Sequence, residues 1–532
     1  MEAEVIIVGG GLSGLCAAKL LSESGVSFIL LEARDRFGGR TLTKIVKKND
    51  VDPKVNYVDF GGSYFGPSHR RLIRLAEELG VETYKINESE DILHYNGKRT
   101  QFKVSELPRQ RNPFVNRDIK HLMDLMDKMG EEIPVDAPWK APHADEWDTL
   151  TFKVFLEKNC WTKSCVKFFN NVVNALITSE SYEASLLSFL WYIKLCGGCK
   201  NVFSSSDGGQ RRKFKGGAQQ ICNKIAERLR NSVIKNSPVI GIDQSSKNSV
   251  LVKTLTGKEY KAKYIVLALP PMMQMKIHFT PELPALRNQL MQRTPMGTVM
   301  KAILYYSQTF WRNKGLCGSF WIEGGKEHPI CFTFDDSKPD GSHPAIIGFI
   351  SADKLRGTFL DLSLEERKII LARSLAEATD CEEFLNPIHY EEKNWMEEQY
   401  SGGCYLALCP PGYLTRYGRT IREPIDRLFY AGTETAVEWC GYMEGAIEAG
   451  ERAAREVLYV MGRITRDKIF QPALESTGVV SQSQGVVSSE YSETGPSIAY
   501  IIALSAMVLV TFSVLKNPKY LKSGFLSCFN EL

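Results

Sequence analysis

The sequence predicts an α/β fold. A Rossmann-like domain of the two-dinucleotide-binding type is interleaved with an α+β domain, and a C-terminal transmembrane helix follows. Three observations carry this prediction. A glycine-rich turn joins two strand-like runs at the N-terminus, strand-like and helix-like segments alternate through the middle, and a second strand-to-helix junction lies near residue 430.

The chain has 532 residues, 43% of them apolar, which exceeds the needs of one ordinary domain. Its 66 basic and 62 acidic side chains nearly cancel, so composition argues against a nucleic-acid partner. Thirteen scattered cysteines, an odd number, show no disulfide framework. The start, "MEAEVIIVGG", enters a strand without a charged leader. Both features fit a chain facing a reducing compartment, its thiols mostly free.

In "EVIIVGGGLSGLCAAKLLSESGVSFILLEARDRFGGRT" a β-branched strand leads to Gly9, Gly11 and Gly14 at GxGxxG spacing, then a helix to Gly25, then a strand ending in Glu32. The glycines permit a tight turn and close backbone approach, the helix N-terminus faces a pyrophosphate, and Glu32 accepts from a ribose hydroxyl. A dinucleotide follows from this context, but the turn does not distinguish NAD from FAD. The continuation "ARDRFGGRT", with Arg34, Gly38, Gly39 and Arg40, is similar to the flavoprotein signature and selects FAD. A late strand, "RLFYAG", runs into "TET" (Thr433, Glu434) and a long helix from about Gly441, so the FAD site is expected to draw on both ends of the chain.

Between them, "HRRLIRLAEELG" is an amphipathic helix, residues 90–210 hold Trp- and Phe-rich helices, and "PVIGID", "SVLVKTLTG" and "YIVLALPP" read as strands. "VMKAILYY", "GSFWI", "CFTFDD" and "AIIGFI" are further strands before the helix "LEERKIILARSLAEA". The FAD domain is assigned residues 1–85, 213–290 and 397–462, and the substrate domain 86–212 and 291–396. A polar linker spans 463–496, an uncharged segment 497–515, and a tail with three lysines 516–532. As a helix rising about 1.5 Å per residue, 497–515 spans roughly a bilayer core. It reads as an anchor holding a cytosolic body on the mitochondrial outer membrane, with the endoplasmic reticulum as the alternative.

The segments "GGGLSG", "LEARDRFGGRT", "YVDFGGSY", "APWKAP", "VNALITSE", "NPIHYEEKNWMEEQYSGGCY" and "AGTETAVEWCGYMEGAIEAGERAARE" together resemble the monoamine oxidases, in register from about residue 4 to 465. The resemblance implies FAD bound covalently, 8α-S-cysteinyl, through Cys404 of "SGGCY". It implies an aromatic cage of Tyr405 and Tyr442, and Lys301 holding a water near flavin N5. Ser13, Val239, Thr433, Glu434 and Met443 join the cofactor cradle. Tyr64, Ala175, Leu176, Phe203, Gln210 and Phe332 line the substrate pocket. Phe203 is A-like and the aromatic at 332 nearer to B, so neither form is assigned. The sequence departs from the family at Leu406, Leu408 and Cys409 behind the cage, and at Cys440. "CGGC", Cys196 to Cys199, has redox spacing without a thioredoxin-like context and reads as coincidence. No metal-ligand cluster stands out.

The expected reaction is oxidative deamination of arylalkyl and biogenic amines by oxygen, giving aldehyde, ammonia or amine, and hydrogen peroxide. The partners are therefore amines, oxygen and a bilayer, and a homodimer stays open. Two alternatives share the FAD motifs: an oxidase of polyamines or L-amino acids, and a membrane-anchored flavoprotein without turnover.

Overall fold

The computed structural model describes residues 1–45, 57–87, 89–103, 110–203, 208–323 and 327–473. At its centre is a parallel sheet of five strands in the order Leu428–Tyr430, Tyr264–Leu267, Val5–Val8, Phe28–Leu31, Val233–Ile234. Val5 to Val8 pair residue by residue with Tyr264 to Leu267 on one side and Phe28 to Leu31 on the other. These runs are apolar without alternation because both faces are covered: Val5, Ile7, Phe28 and Leu30 pack with helical residues such as Leu15 and Ile447, and Ile6, Val8, Ile29 and Leu31 join the cluster of Val250, Val252 and Tyr260 from a four-stranded sheet. The helix Leu12–Glu23 follows the first strand and packs on the late helix Met443–Val460. Glycine permits both close approaches. A Cβ on Gly14 would stand 2.0 Å from the carbonyl of Gly9, and one on Gly450 would stand 2.1 Å from that of Ser13. The glycine spacing legible in the sequence thus serves helix packing as well as the turn.

The second layer is a seven-stranded sheet built around Val299–Tyr305, every residue of which is buried. That strand pairs antiparallel with Ala345–Ser351 and with His389–Asn394. Pro113–Glu131, Lys163–Ile177 and Leu186–Leu195 form the helical part, which presents Phe169, Val173, Leu187, Leu190 and Ile193 to the largest core cluster. Where the chain passes between the two parts, Thr83–Lys85 pairs with Arg212–Phe214. A further four-stranded sheet contains Glu259–Ala262, a strand not read from the sequence because it is only four residues long and ends close to the next strand. The segment 497–515, read as a membrane helix, lies outside the described residues. Among the described residues no helix is long and apolar enough to cross a membrane.

Candidate active site

One cavity of about 310 Å³ runs from the first strand to the substrate-side helices. Of the residues singled out above, Gly9, Gly11, Ser13, Glu32, Arg34, Gly39, Arg40, Val239, Cys404, Thr433 and Met443 line it. So do Lys301, Tyr405, Tyr442, Tyr64, Ala175, Leu176, Phe203, Gln210 and Phe332. Gly14 sits behind the turn against Gly9, and Glu434 acts through Arg40.

At the turn, Gly9 has φ +107°, a region that disfavours any side chain. The helix starting at Leu12 has Gly11 as its N-cap and no side-chain cap, so its first-turn amides are left for an anion at the cavity wall. Ser13 Oγ instead accepts from Gly432 N–H at 2.9 Å and ties the late strand to the first helix. Glu32 is buried, and its carboxylate accepts from Gly10 N–H at 2.6 Å and Arg34 N–H at 2.9 Å. The backbone turn therefore orients the carboxylate that faces the cavity. The Arg34 guanidinium reaches Glu398 at 3.0 Å and Ser401 Oγ at 2.9 Å.

Arg40 joins the two chain ends. Its guanidinium donates to both oxygens of Glu434, at 2.5 and 2.9 Å, and to the carbonyl of Tyr405 at 2.7 Å. Burial works against the charge, but the paired Glu434 carboxylate more than offsets it and holds the arginine pKa above its usual value. Cys404 is buried beside this pair, and burial pushes its thiol up to about 12, with Arg40 pulling the other way.

The Cys404–Tyr405 peptide is cis. Thr178, the αL C-cap of Lys163–Ile177, spans it. Its Oγ1 lies 2.6 Å from the Cys404 carbonyl, to which it donates, and accepts from Tyr405 N–H at 3.2 Å. Sequence reasoning missed this residue. It stands inside the "VNALITSE" segment, but nothing local marks a partner 226 positions away. Gly297 leaves room for the hydroxyl, since a Cβ there would lie 2.0 Å from it.

Lys301 is buried and donates to the carbonyls of Gly61 at 2.7 Å and Asp59 at 3.2 Å, and to Ser63 Oγ at 3.3 Å. Burial, with Lys213 second, lowers its pKa to about 8. Lys213 itself pairs with buried Asp336, which also receives Lys338 at 3.2 Å. Tyr442 Oη lies 3.3 Å from Gln210 Nε2 and 3.5 Å from Tyr192 Oη. Trp439 and His69 back the Tyr442 ring, and burial holds His69 neutral with a pKa of about 3. On the opposite wall Phe332 stacks on Phe349 at 4.3 Å, and Trp321 closes on Phe332 at 6.0 Å. Behind the cage, where Leu406, Leu408 and Cys409 stand, there is a separate void of about 40 Å³. Cys196 and Cys199 are free and buried.

The family model of flavin containing amine oxidoreductases matches residues 12–458. The chain belongs to the flavin-containing amine oxidases. It is 52% identical over 508 residues to the flavin-containing amine oxidase of Oncorhynchus mykiss, covering 95% of both chains. It is 51% identical over 482 residues to the flavin-containing amine oxidase B of Homo sapiens, covering 90% of this chain and 91% of that one. Among solved structures it resembles cyclohexylamine oxidase from Brevibacterium oxydans, with TM-score 0.81, 29% identity, and coverage of 87% of this chain and all of the other. It also resembles wild-type putrescine oxidase bound to putrescine, with TM-score 0.79, 27% identity, and coverage of 86% and 99%. This amine oxidase is an FAD-dependent oxidoreductase that oxidatively deaminates small amines with oxygen. The cavity fits such a cofactor. Uncapped helix N-termini at Leu12 and Met443 meet it, and Tyr64 Oη, buried in its wall, has no hydrogen-bond partner among the described residues.

Proposed function

We infer that this amine oxidase acts on primary arylalkyl amines with FAD attached to Cys404. The observation that carries the reading is the single cavity running from Glu32 to Gln210, apolar and aromatic at its substrate end. Gly11, Ser13, Glu32 and Arg34 would hold the nucleotide part, and Arg40, Cys404, Thr433 and Met443 the flavin part. Bound there, FAD supplies a two-electron acceptor that oxygen regenerates with release of hydrogen peroxide.

The residues of the chain do the rest. Tyr405 and Tyr442 flank the amine and favour its neutral form, because an ammonium loses part of its hydration between the two half-buried rings. Gln210 orients the Tyr442 hydroxyl. Lys301 is positioned to hold a water or a developing negative charge while still largely protonated at neutral pH. Among the described lining residues Glu32, at the nucleotide end, is the only carboxylate. The substrate end offers no partner to the second ammonium of a polyamine, which favours monoamines over the polyamine alternative.

The test is acid precipitation followed by an anaerobic spectrum. The wild-type pellet is expected to stay yellow, the Cys404→Ala pellet to turn white, and phenethylamine to bleach the native flavin. A white wild-type pellet removes the attachment, and an unbleached flavin removes the substrate class. The uncharged segment 497–515 with its basic tail supports anchoring in the mitochondrial outer membrane. Deleting 497–532 is then expected to release an active protein from alkaline-washed membranes, and a protein that stays bound would refute that placement.

A further inference from the structure

Away from the cavity, two thiols and a carboxylate converge on the N-terminus of the helix Lys163–Ile177. Cys160 is the C-cap of the preceding helix, Phe152–Asn159, and Cys165 lies in the first turn of the next. Asp118 comes from the helix Pro113–Glu131 and is fully buried, as is Cys165, while Cys160 is half-buried. One donor atom from each of the three lies within 4.8 Å of the others. Asp118 is fixed by the loop it braces. Its Oδ2 accepts from Thr162 N–H and Thr162 Oγ1, both at 2.8 Å, and its Oδ1 accepts from Trp161 N–H at 3.0 Å. Oδ1 keeps a lone pair free after that bond.

We propose that Cys160, Cys165 and Asp118 form a binding site for a thiophilic divalent cation of the zinc class. The donor set suits such a cation, since sulfur and carboxylate oxygen are ordinary zinc ligands. The spacing suits it too. Thiolates held about 2.3 Å from a tetrahedral zinc stand roughly 3.8 Å apart, so the observed cluster needs only a small contraction. The backbone amides that grip Asp118 are the outer contacts that orient a ligand carboxylate. The half-buried side, at Cys160, leaves a coordination position for water. Binding balances as one cation entering and two thiol protons leaving: two cysteine S–H bonds are exchanged for two metal–sulfur bonds without oxidation. Sequence reading missed the cluster because Asp118 lies on a different helix and a C-x4-C pair alone carries no such meaning. The two cysteines and Asp118 lie outside the cavity wall, so the cation is a structural clamp between three helices and takes no part in amine turnover.

The full-length holoenzyme, kept reduced, would be loaded with Zn2+, desalted and assayed for retained zinc with a chromogenic chelator, beside Cys165→Ser, Cys160→Ser and Asp118→Asn. Wild type is expected to retain one zinc more per chain than either cysteine variant, and to release two protons on loading. Asp118→Asn is expected to bind at least tenfold more weakly. Unchanged flavin absorbance and amine turnover would certify that the variants are folded, and Cys160→Ser, at the half-buried position, gives the comparison should Cys165→Ser not fold. Equal zinc in wild type and the folded cysteine variant would overturn the proposal, as would a Cys160–Cys165 disulfide in enzyme purified under reducing conditions.

Discussion

Thr178→Val removes the hydroxyl that spans the Cys404–Tyr405 peptide while keeping the size and branching of the side chain. Two groups then lose their partner: the Cys404 carbonyl, 2.6 Å from Oγ1, and the Tyr405 N–H, 3.2 Å from it. The adjacent backbone of Gly297 offers no replacement, because its carbonyl already accepts from Cys404 N–H and its N–H already donates to the Leu406 carbonyl. An unsatisfied buried polar group costs about 1–3 kcal/mol, so the pair costs about 2–6 kcal/mol. The loss falls on the peptide that carries both the proposed flavin attachment and one wall of the cage. A shift of about 1 Å there is worth roughly a hundredfold in rate. Stopped-flow reduction of the flavin by phenethylamine, with calorimetric melting beside it, reads the two effects separately. The expected result is a lower Tm together with slower reduction and a smaller acid-stable flavin fraction, with Thr178→Ser restoring all three. A Thr178→Val enzyme that melts lower but reduces and retains flavin as wild type does would refute the positioning role. One unchanged in every respect would refute the hydrogen-bond reading itself.

Lys301 has its pKa lowered from 10.5 to about 8, so between those values the unfolded chain binds the extra proton and stability rises with pH. The stability difference between wild type and Lys301→Met is expected to shift by about 3 kcal/mol across that window, in favour of wild type at the alkaline end, as denaturant unfolding would show. A flat difference would mean that the lysine is solvated. Glu434→Gln leaves Arg40 charged and without its carboxylate, a loss of about 3–5 kcal/mol visible as a lower denaturant midpoint and as flavin released on gel filtration. Retained flavin and an unmoved midpoint would contradict this. Phe203→Ala widens the substrate end. KM for a bulky arylalkyl amine is expected to fall while kcat for phenethylamine changes less than about threefold, and an equal change in both would place Phe203 outside the specificity wall.

What the sequence disclosed follows the range of each interaction. The turn at Gly9, Gly11 and Gly14 and the strand ending in Glu32 are local, and the structure has them where the spacing placed them. The long strands around Lys301 and Phe349 were legible from continuous apolar runs. Contacts set by tertiary pairing were not. Lys213 and Asp336 carry no local signal of their pairing, yet they are buried together and bear on Lys301. Thr178 meets its partners 226 and 227 positions away. Glu32 was expected simply to meet a ribose, whereas its carboxylate is also held by two backbone amides of its own turn. The departures at Leu406, Leu408 and Cys409 did flag the wall behind the cage. Their outcome, a small void, depends on how Phe189, Trp191 and Ile421 close around them.

The central sheet takes its strands from residues 5–8, 28–31, 233–234, 264–267 and 428–430. During synthesis, a chain stopped anywhere before Leu428 lacks an outer strand of that sheet and the helix that packs on Leu12–Glu23. Contacts across such separations form slowly. The nucleotide end of the cavity wall is thus made first, at Gly11, Ser13 and Glu32, and the wall closes only when Thr433 and Met443 arrive with the last strand and helix.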